Sequence, residues 1–189
     1  FKNLIKMKNY IVSAFRLTIV MLVIVGIYLI IVYAGSKVLP NQGNAEIINH
    51  NGQKFYANIG QDFKSPKYFH GRPSAVDYNA AGSAGSNKGP SNRDYLALLQ
   101  KRIDTFLIAH PYLKKSDIPS DIVTASGSGL DPNISPEGAL IQVKRVAKVR
   151  KLSEDKVKAL VETKINKPTV MGTSTVNVLE LNVALDELK

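Results

Sequence analysis

Residues 17–36 read LTIVMLVIVGIYLIIVYAGS, twenty positions from Leu17 to Ser36 without one charge. As an α-helix this stretch rises about 30 Å, the thickness of a bilayer's hydrocarbon core. Twelve of the twenty are Leu, Ile or Val. At about −0.3 to −0.6 kcal/mol each near the helix centre, they supply about −4 to −7 kcal/mol toward insertion. Tyr28 and Tyr33 lie toward the far end, where amphipathic rings favour the headgroup region. Lys2, Lys6, Lys8 and Arg16 precede the stretch, and only Lys37 closely follows it. That bias predicts a cytoplasmic N-terminus over 1–16, a single span over 17–36 and an extracytoplasmic domain over 37–189 in a cell (inner or plasma) membrane. A cleaved signal peptide is the competing reading, with Val32-Tyr33-Ala34 offering a small residue at the cleavage edge. The apolar run exceeds the usual core of about 7–15 residues, which favours a retained anchor. Met7 makes a natural start, so residues 1–6 are expected to be an upstream extension.

The rest of the chain bounds what that anchor carries. The whole has 189 residues, 25 Lys+Arg against 15 Asp+Glu, and 44% apolar residues, a share that excludes disorder throughout. The net +10 divides into +4 on residues 1–36 and +6 on the remainder. Absence of Cys excludes a disulfide framework, a Cys-ligated zinc and a thiol nucleophile. Glu46–His50 and Gln53–Ile59 are β-prone runs around Asn51-Gly52, the dipeptide of a tight hairpin. Asp62–Asn79 is aromatic-rich and irregular, and Ala80–Asn92 is a loop of small polar residues. A helix is expected over Arg93–Ala109, capped by Ser91 or Asn92 and ended by Pro111. Ile122-Val123-Thr124-Ala125 reads as a short buried strand. Ser135 and Pro136 start a second helix to about Lys151, and Ser153 caps a third ahead of Pro168. Val178–Leu188 follows the 3.6 period and is read as helix. The sum is one small α+β domain on a membrane stalk.

Each reactive pattern fails on spacing. Gly82–Gly89 lacks the P-loop spacing and the hydroxyl after Lys88; Gly127–Pro132 has Pro where a dinucleotide loop needs Gly. Ser128 has Ser126, not Gly, two residues before it, so there is no nucleophile elbow. Ser153-Glu-Asp-Lys156 matches S-x-x-K without its companion motifs and is explained by a helix cap. Asp131, Asn133, Ser135 and Glu137 alternate like a calcium loop, but Pro136 occupies the Gly position and Gln142 the bidentate Glu position. His50, His70 and His110 lack ligand spacing, so no metal and no catalytic residue is assigned. The lysine face Lys144, Lys148 and Lys151 is expected to be solvated, or to meet anionic lipid or an acidic partner. Nucleic acid is not expected beside a membrane span.

Two loops look specified. Ser126–Pro136 combines glycines, prolines and hydroxyls at a helix N-terminus, and Ala80–Asn92 has side chains small enough for another backbone to come close. Gly85, Ser86, Asn87 and Gly89 in one, with Ser126, Gly127, Ser128, Gly129, Asp131 and Asn133 in the other, are the candidates for partner docking. Architectural turns are the alternative for both.

At these loops the sequence resembles a known family, the C subunits of the bacterial Kdp potassium-transporting P-type ATPase. The matching stretches are Tyr68–Ala75 (YFHGRPSA), Gly85–Asn92 (GSNKGPSN), Ile122–Pro136 (IVTASGSGLDPNISP), Gln142–Ala147 (QVKRVA) and Val176–Asp186 (VNVLELNVALD). They occur in family order behind a single span and cover nearly the whole chain. Asn133 stands where the family usually has His, Lys88 where it usually has an apolar residue, and the span lacks a Pro often found there. The resemblance implies a non-catalytic accessory subunit of an ATP-driven, high-affinity potassium uptake complex. Its partners would be a potassium-binding channel-like subunit, a P-type ATPase catalytic subunit and a small one-span subunit. It also implies a stabilising role in assembly, and a chaperone role raising the ATP affinity of the ATPase subunit, with Gln142 at the nucleotide contact. ATP would then be met only through the complex, and no cofactor is assigned to the chain itself. The charge bias places Gln142 across the membrane from cytoplasmic ATP, which favours assembly over nucleotide binding. A free-standing envelope-binding protein, or a membrane-anchored hydrolase with a nucleophile–base pair not visible here, are the rival classes.

Overall fold

The structure, a computed structural model, describes residues 2–39, 41–168 and 170–188. The chain forms two compact units, residues 1–45 and 46–189. In the first, helix α1 runs Lys2–Ser36, so the expected span lies within a helix that begins well before it. Met7–Ser36 is long and apolar enough to cross a membrane. Leu17, Leu22, Ile30 and Tyr33, among its large apolar side chains, are more than half exposed, a surface suited to lipid rather than water.

The second unit opens with an antiparallel hairpin, β1 (Ile47–His50) and β2 (Gln53–Tyr56), in which His50 pairs with Gln53. Asn51 and Gly52 both take positive φ, 50° and 76°, as a two-residue hairpin turn requires. Helix α2 (Arg93–Ala109) begins at Asn92, whose side chain accepts from the Tyr95 N–H at 2.9 Å, and stops before Pro111.

Two expectations change here. Ile122–Ala125 is not a strand: Ser120–Val123 is one helical turn, α3. Pro119 precedes it, and the Ser120 carbonyl accepts both the N–H and the hydroxyl of Thr124, which closes the turn. Ile122 and Val123 are buried as expected; a four-residue apolar run carries no period to tell strand from helix. The helix expected from Pro136 to Lys151 is broken into α4 (Pro136–Leu140) and α5 (Val143–Arg150). At the break the Gln142 side chain donates to the Gly138 carbonyl at 2.9 Å, the acceptor its own backbone N–H would use, and that N–H turns to Ala139 instead. Lys151 ends α5 in the left-handed conformation, φ 58°.

Ser153 caps α6 (Glu154–Thr163), as expected. A small antiparallel sheet, ordered β3 (Asn133–Ile134), β5 (Thr175–Asn177), β4 (Ile165–Asn166), has no counterpart in the sequence reading. Helix α7 (Val178–Glu187) follows β5 directly. Asn177 makes the junction: its Oδ1 accepts from the N–H groups of Leu179 and Glu180, and its Nδ2 donates to the Ala57 carbonyl at 2.7 Å. The core gathers Phe69, Ile134, Val146, Val157, Val161, Val176, Leu181 and Leu185, each at most 2% exposed. Burial of each such side chain contributes about 1.5–3 kcal/mol.

Candidate partner-docking site

From Pro66 to His70 the chain belongs to no helix or sheet, yet side chains from α5, α7 and the α4–α5 break tie down the backbone of all five residues. Arg145 Nη1 donates to the carbonyls of Pro66 and Tyr68, and Arg150 Nε donates to that of Lys67. The Phe69 N–H donates to Asn182 Oδ1 at 2.8 Å, and its carbonyl accepts from Asn182 Nδ2 at 2.9 Å. Gln142 does the same for His70, at 2.8 and 3.1 Å. Side-chain amides thus stand in for a neighbouring strand, satisfying groups whose burial without partners is costly. The stretches Tyr68–Ala75, Gln142–Ala147 and Val176–Asp186, far apart in sequence, meet here.

Gln142 is fully buried and saturated: Oε1 accepts from His70 N and Arg145 Nη2, and Nε2 donates to His70 and Gly138 carbonyls. Arg145, only 6% exposed, meets no carboxylate among the described residues. Its charge is spread over three carbonyl oxygens and the His110 ring, whose Nε2 accepts from Arg145 Nε at 2.8 Å. His110 Nδ1 donates to the Phe106 carbonyl, which fixes the tautomer and leaves Nε2 free to accept. Burial pushes the His110 imidazole down to about 4, and the same burial brings the Arg145 guanidinium down to about 10. His110 is therefore neutral and Arg145 charged at neutral pH.

A second polar node adjoins this one. Asp186 accepts from Arg150, from the Tyr68 hydroxyl at 3.0 Å and from His50 Nε2 at 3.0 Å, joining β1, α5 and α7. Burial alone would raise its carboxyl, but these hydrogen bonds outweigh that and hold it below the ordinary carboxylate range. The sequence reading missed Arg145, Arg150, His110 and Asn182. The one available signal was Gln142-x-x-Arg145, a polar pair at helical spacing on a face that otherwise carries Ala139, Val143 and Val146.

The two loops singled out by composition also meet. Ser83 Oγ donates to the Ser128 carbonyl at 2.9 Å. A Cβ on Gly85 would sit 2.9 Å from the Gly127 oxygen, and one on Gly129 (φ 70°) would sit 2.5 Å from Val76 Cγ2. The close approach that these two glycines permit is to the chain itself. Ser126 is buried with its N–H on the Pro73 carbonyl, and Asp131 pairs with Arg72 at 3.1 Å while its other oxygen accepts from the Asn133 N–H. Ser86, Asn87, Gly89, Gly127 and Ser128 remain exposed, the last holding the Leu130 N–H with its hydroxyl. Asn133 is half-buried in a cleft of about 640 Å³ beside Asp121 and Glu137. The exposed loop residues can contact a partner. Gly85, Ser126, Gly129 and Asp131 serve the fold.

Fold and site define a chain with, among the described residues, one helix of membrane-spanning length, and a small α+β domain in which buried Gln142, Arg145, Asn177 and Asn182 position backbone. The family model for the K+-transporting ATPase c chain, KdpC, matches residues 11–187. The potassium-transporting ATPase KdpC subunit of Flavobacterium psychrophilum is 70% identical over 97% of this chain and 100% of its own length. The subunit of the same name from Flavobacterium johnsoniae is 66% identical, and that from Phocaeicola vulgatus 50%, each over 97% of this chain and all of their own length. The chain belongs to the KdpC family.

Proposed function

We propose that this chain is the accessory subunit of an ATP-driven potassium uptake complex, anchored by residues 17–36, and that it acts by stabilising assembly rather than by chemistry of its own. Its partners in this reading are a channel-like potassium-binding subunit, a P-type ATPase subunit and a small one-span subunit. The observation that carries it is the saturation of Gln142. All four of its hydrogen-bonding positions are used inside the domain, so a direct nucleotide contact there would require the segment 66–70 to be released. Any effect on the ATP affinity of the catalytic subunit is then exerted through assembly. An outer location of residues 37–189 supports the same conclusion, since it separates the domain from cytoplasmic ATP. The test is purification of the tagged full chain from detergent-solubilised membranes. Co-purification of polytopic potassium-transport and ATPase subunits is the expected outcome. A chain that purifies alone would favour the free-standing envelope-binding protein.

A further inference from the structure

A groove of about 570 Å³ runs between α2 and the segment Asp62–Tyr78. Its α2 wall is Leu98, Lys101, Arg102, Thr105, Phe106 and Ala109, one stripe at helical spacing. From Leu98 to Ala109 the helix rises about 16 Å, enough for about five residues of extended chain. The opposite wall is held by bonds of its own: the Arg72 carbonyl accepts from the Tyr78 hydroxyl, the Pro73 carbonyl from the Ser126 N–H, and the Ser74 hydroxyl from the N–H groups of Val76 and Tyr78. A preformed wall removes part of the ordering cost of association. The lining is mostly apolar, with Phe63, Phe106 and Leu98 presenting surface to the space.

The charges are unbalanced toward the positive. Four cations, Lys64, Arg72, Lys101 and Arg102, line it against two carboxylates, of which Asp62 is paired with Lys64 at 2.9 Å and Asp77 has no ion pair among the described residues. Lys101 is exposed, Arg102 donates only to the Val123 carbonyl, and neither meets a carboxylate among the described residues. Arg72 adds a buried Nε–H with no acceptor among the described residues. The groove thus combines an apolar floor, unpaired cations along one rim and an unused donor.

We infer that this groove is the docking site for an extended, acidic segment of a partner subunit, with an apolar side chain seated against Leu98 and Phe106 and carboxylates on Lys101 and Arg102. The inference rests on the assembly role proposed above and names the chemistry of the partner. The test places the photo-crosslinking residue p-benzoylphenylalanine at Leu98 in the full chain and isolates the whole complex. The expected product joins the chain to a carboxylate-bearing peptide of a polytopic subunit. Lys101→Glu should cut the yield about five- to tenfold at moderate salt, Lys101→Ala less, and raised salt should weaken the parent in the same way. Lys101 is exposed and its ammonium has no partner among the described residues, so the melting temperature of either variant should stay that of the parent. Crosslinks to lipid, to a second copy of this chain or to nothing, in a complex that remains intact, would overturn the groove assignment and leave the assembly role standing. A yield indifferent to charge reversal would overturn it too. A chain that isolates without any transport subunit would instead overturn the assembly role.

Discussion

Gln142→Ala separates the structural reading of this residue from the nucleotide reading. The substitution strips partners from the His70 N–H, the His70 and Gly138 carbonyls and Arg145 Nη2, all inside the domain. A buried polar group left unpaired costs about 1–3 kcal/mol. Two of the four losses fall on His70 and all four surround one side chain, so they are coupled and do not sum, and a total of about 3–5 kcal/mol is expected. For a domain of this size each kcal/mol moves the melting temperature by about 3 °C, which gives a drop of about 10–15 °C. The measurement is a thermal melt of the full chain in detergent followed by the near-ultraviolet signal of its tyrosines, which excludes the helical signal of α1. Complex assembly should fall in proportion to the unfolded fraction. A variant that melts within about 2 °C of the parent, the range of surface substitutions, while the complex loses apparent ATP affinity would refute the reasoning. Gln142 would then contact nucleotide, and the node could not be closed when it does so.

Acid should weaken the domain in a defined window. The folded His110 imidazole lies at about 4 against 6.5 unfolded, so the unfolded chain binds more protons between these values. Stability is therefore flat above pH 6.5 and falls by up to about 3 kcal/mol as pH drops to 4. Burial and the nearby Arg145 charge lower His70 as well, adding to the same loss. Urea midpoints measured from pH 7.5 to 4 check it; a flat profile would contradict a neutral buried His110. Gly129→Ala should cost about 2–3 kcal/mol through its positive φ and the contact with Val76, whereas Gly127→Ala, with open space around it, should leave the melt unchanged. Ser128→Ala with Asn133→Ala should weaken co-purification with transport subunits more than it lowers the melting temperature; the reverse ordering would make both residues turn chemistry. For topology, Cys at Ser116 should react with an impermeant maleimide in intact cells and Cys at Asn3 should not, and the opposite pattern would reverse the orientation.

What the sequence disclosed and what it hid divide by range. Asn51-Gly52, the Asn92 and Ser153 caps and the 3.6 period of Val178–Leu188 are local signals, and the elements they predict are present. Strands β3, β4 and β5 have two or three residues each, too few for alternation to register. The break at Gln142 escaped because it depends on which carbonyl a side chain chooses. Composition found both loops, but whether a glycine makes room for a partner or for the chain itself is a question of distance. Gly85 and Gly127 are 42 positions apart in sequence and in near contact in space. The Arg145–His110 pair, 35 residues apart, is hidden for the same reason.

The polar interior around Pro66–His70 also explains why an apolar core could not replace it. A buried pair of side chains can often be exchanged for well-packed hydrophobic residues without loss, because both polar partners leave together. In the bonds that hold Pro66–His70 one partner is backbone, which no substitution removes. Replacing Asn182 by Leu would strand the Phe69 N–H and carbonyl, and replacing Arg145 by Met would strand the Pro66 and Tyr68 carbonyls. The alternative would be to place the segment in a sheet, but its neighbours on the core side are helices α5 and α7, which have no backbone groups to lend sideways. Side-chain amides and guanidinium groups are what a helix can offer a strand-like segment. That arrangement fixes the backbone of Pro66–His70 from behind, and the continuation His70–Ser74 lines the groove facing α2. The stretch Tyr68–Ala75 thus begins on a fixed backbone around the buried Phe69 and continues as the half-buried groove wall His70–Ser74, the side on which the inferred partner segment would lie.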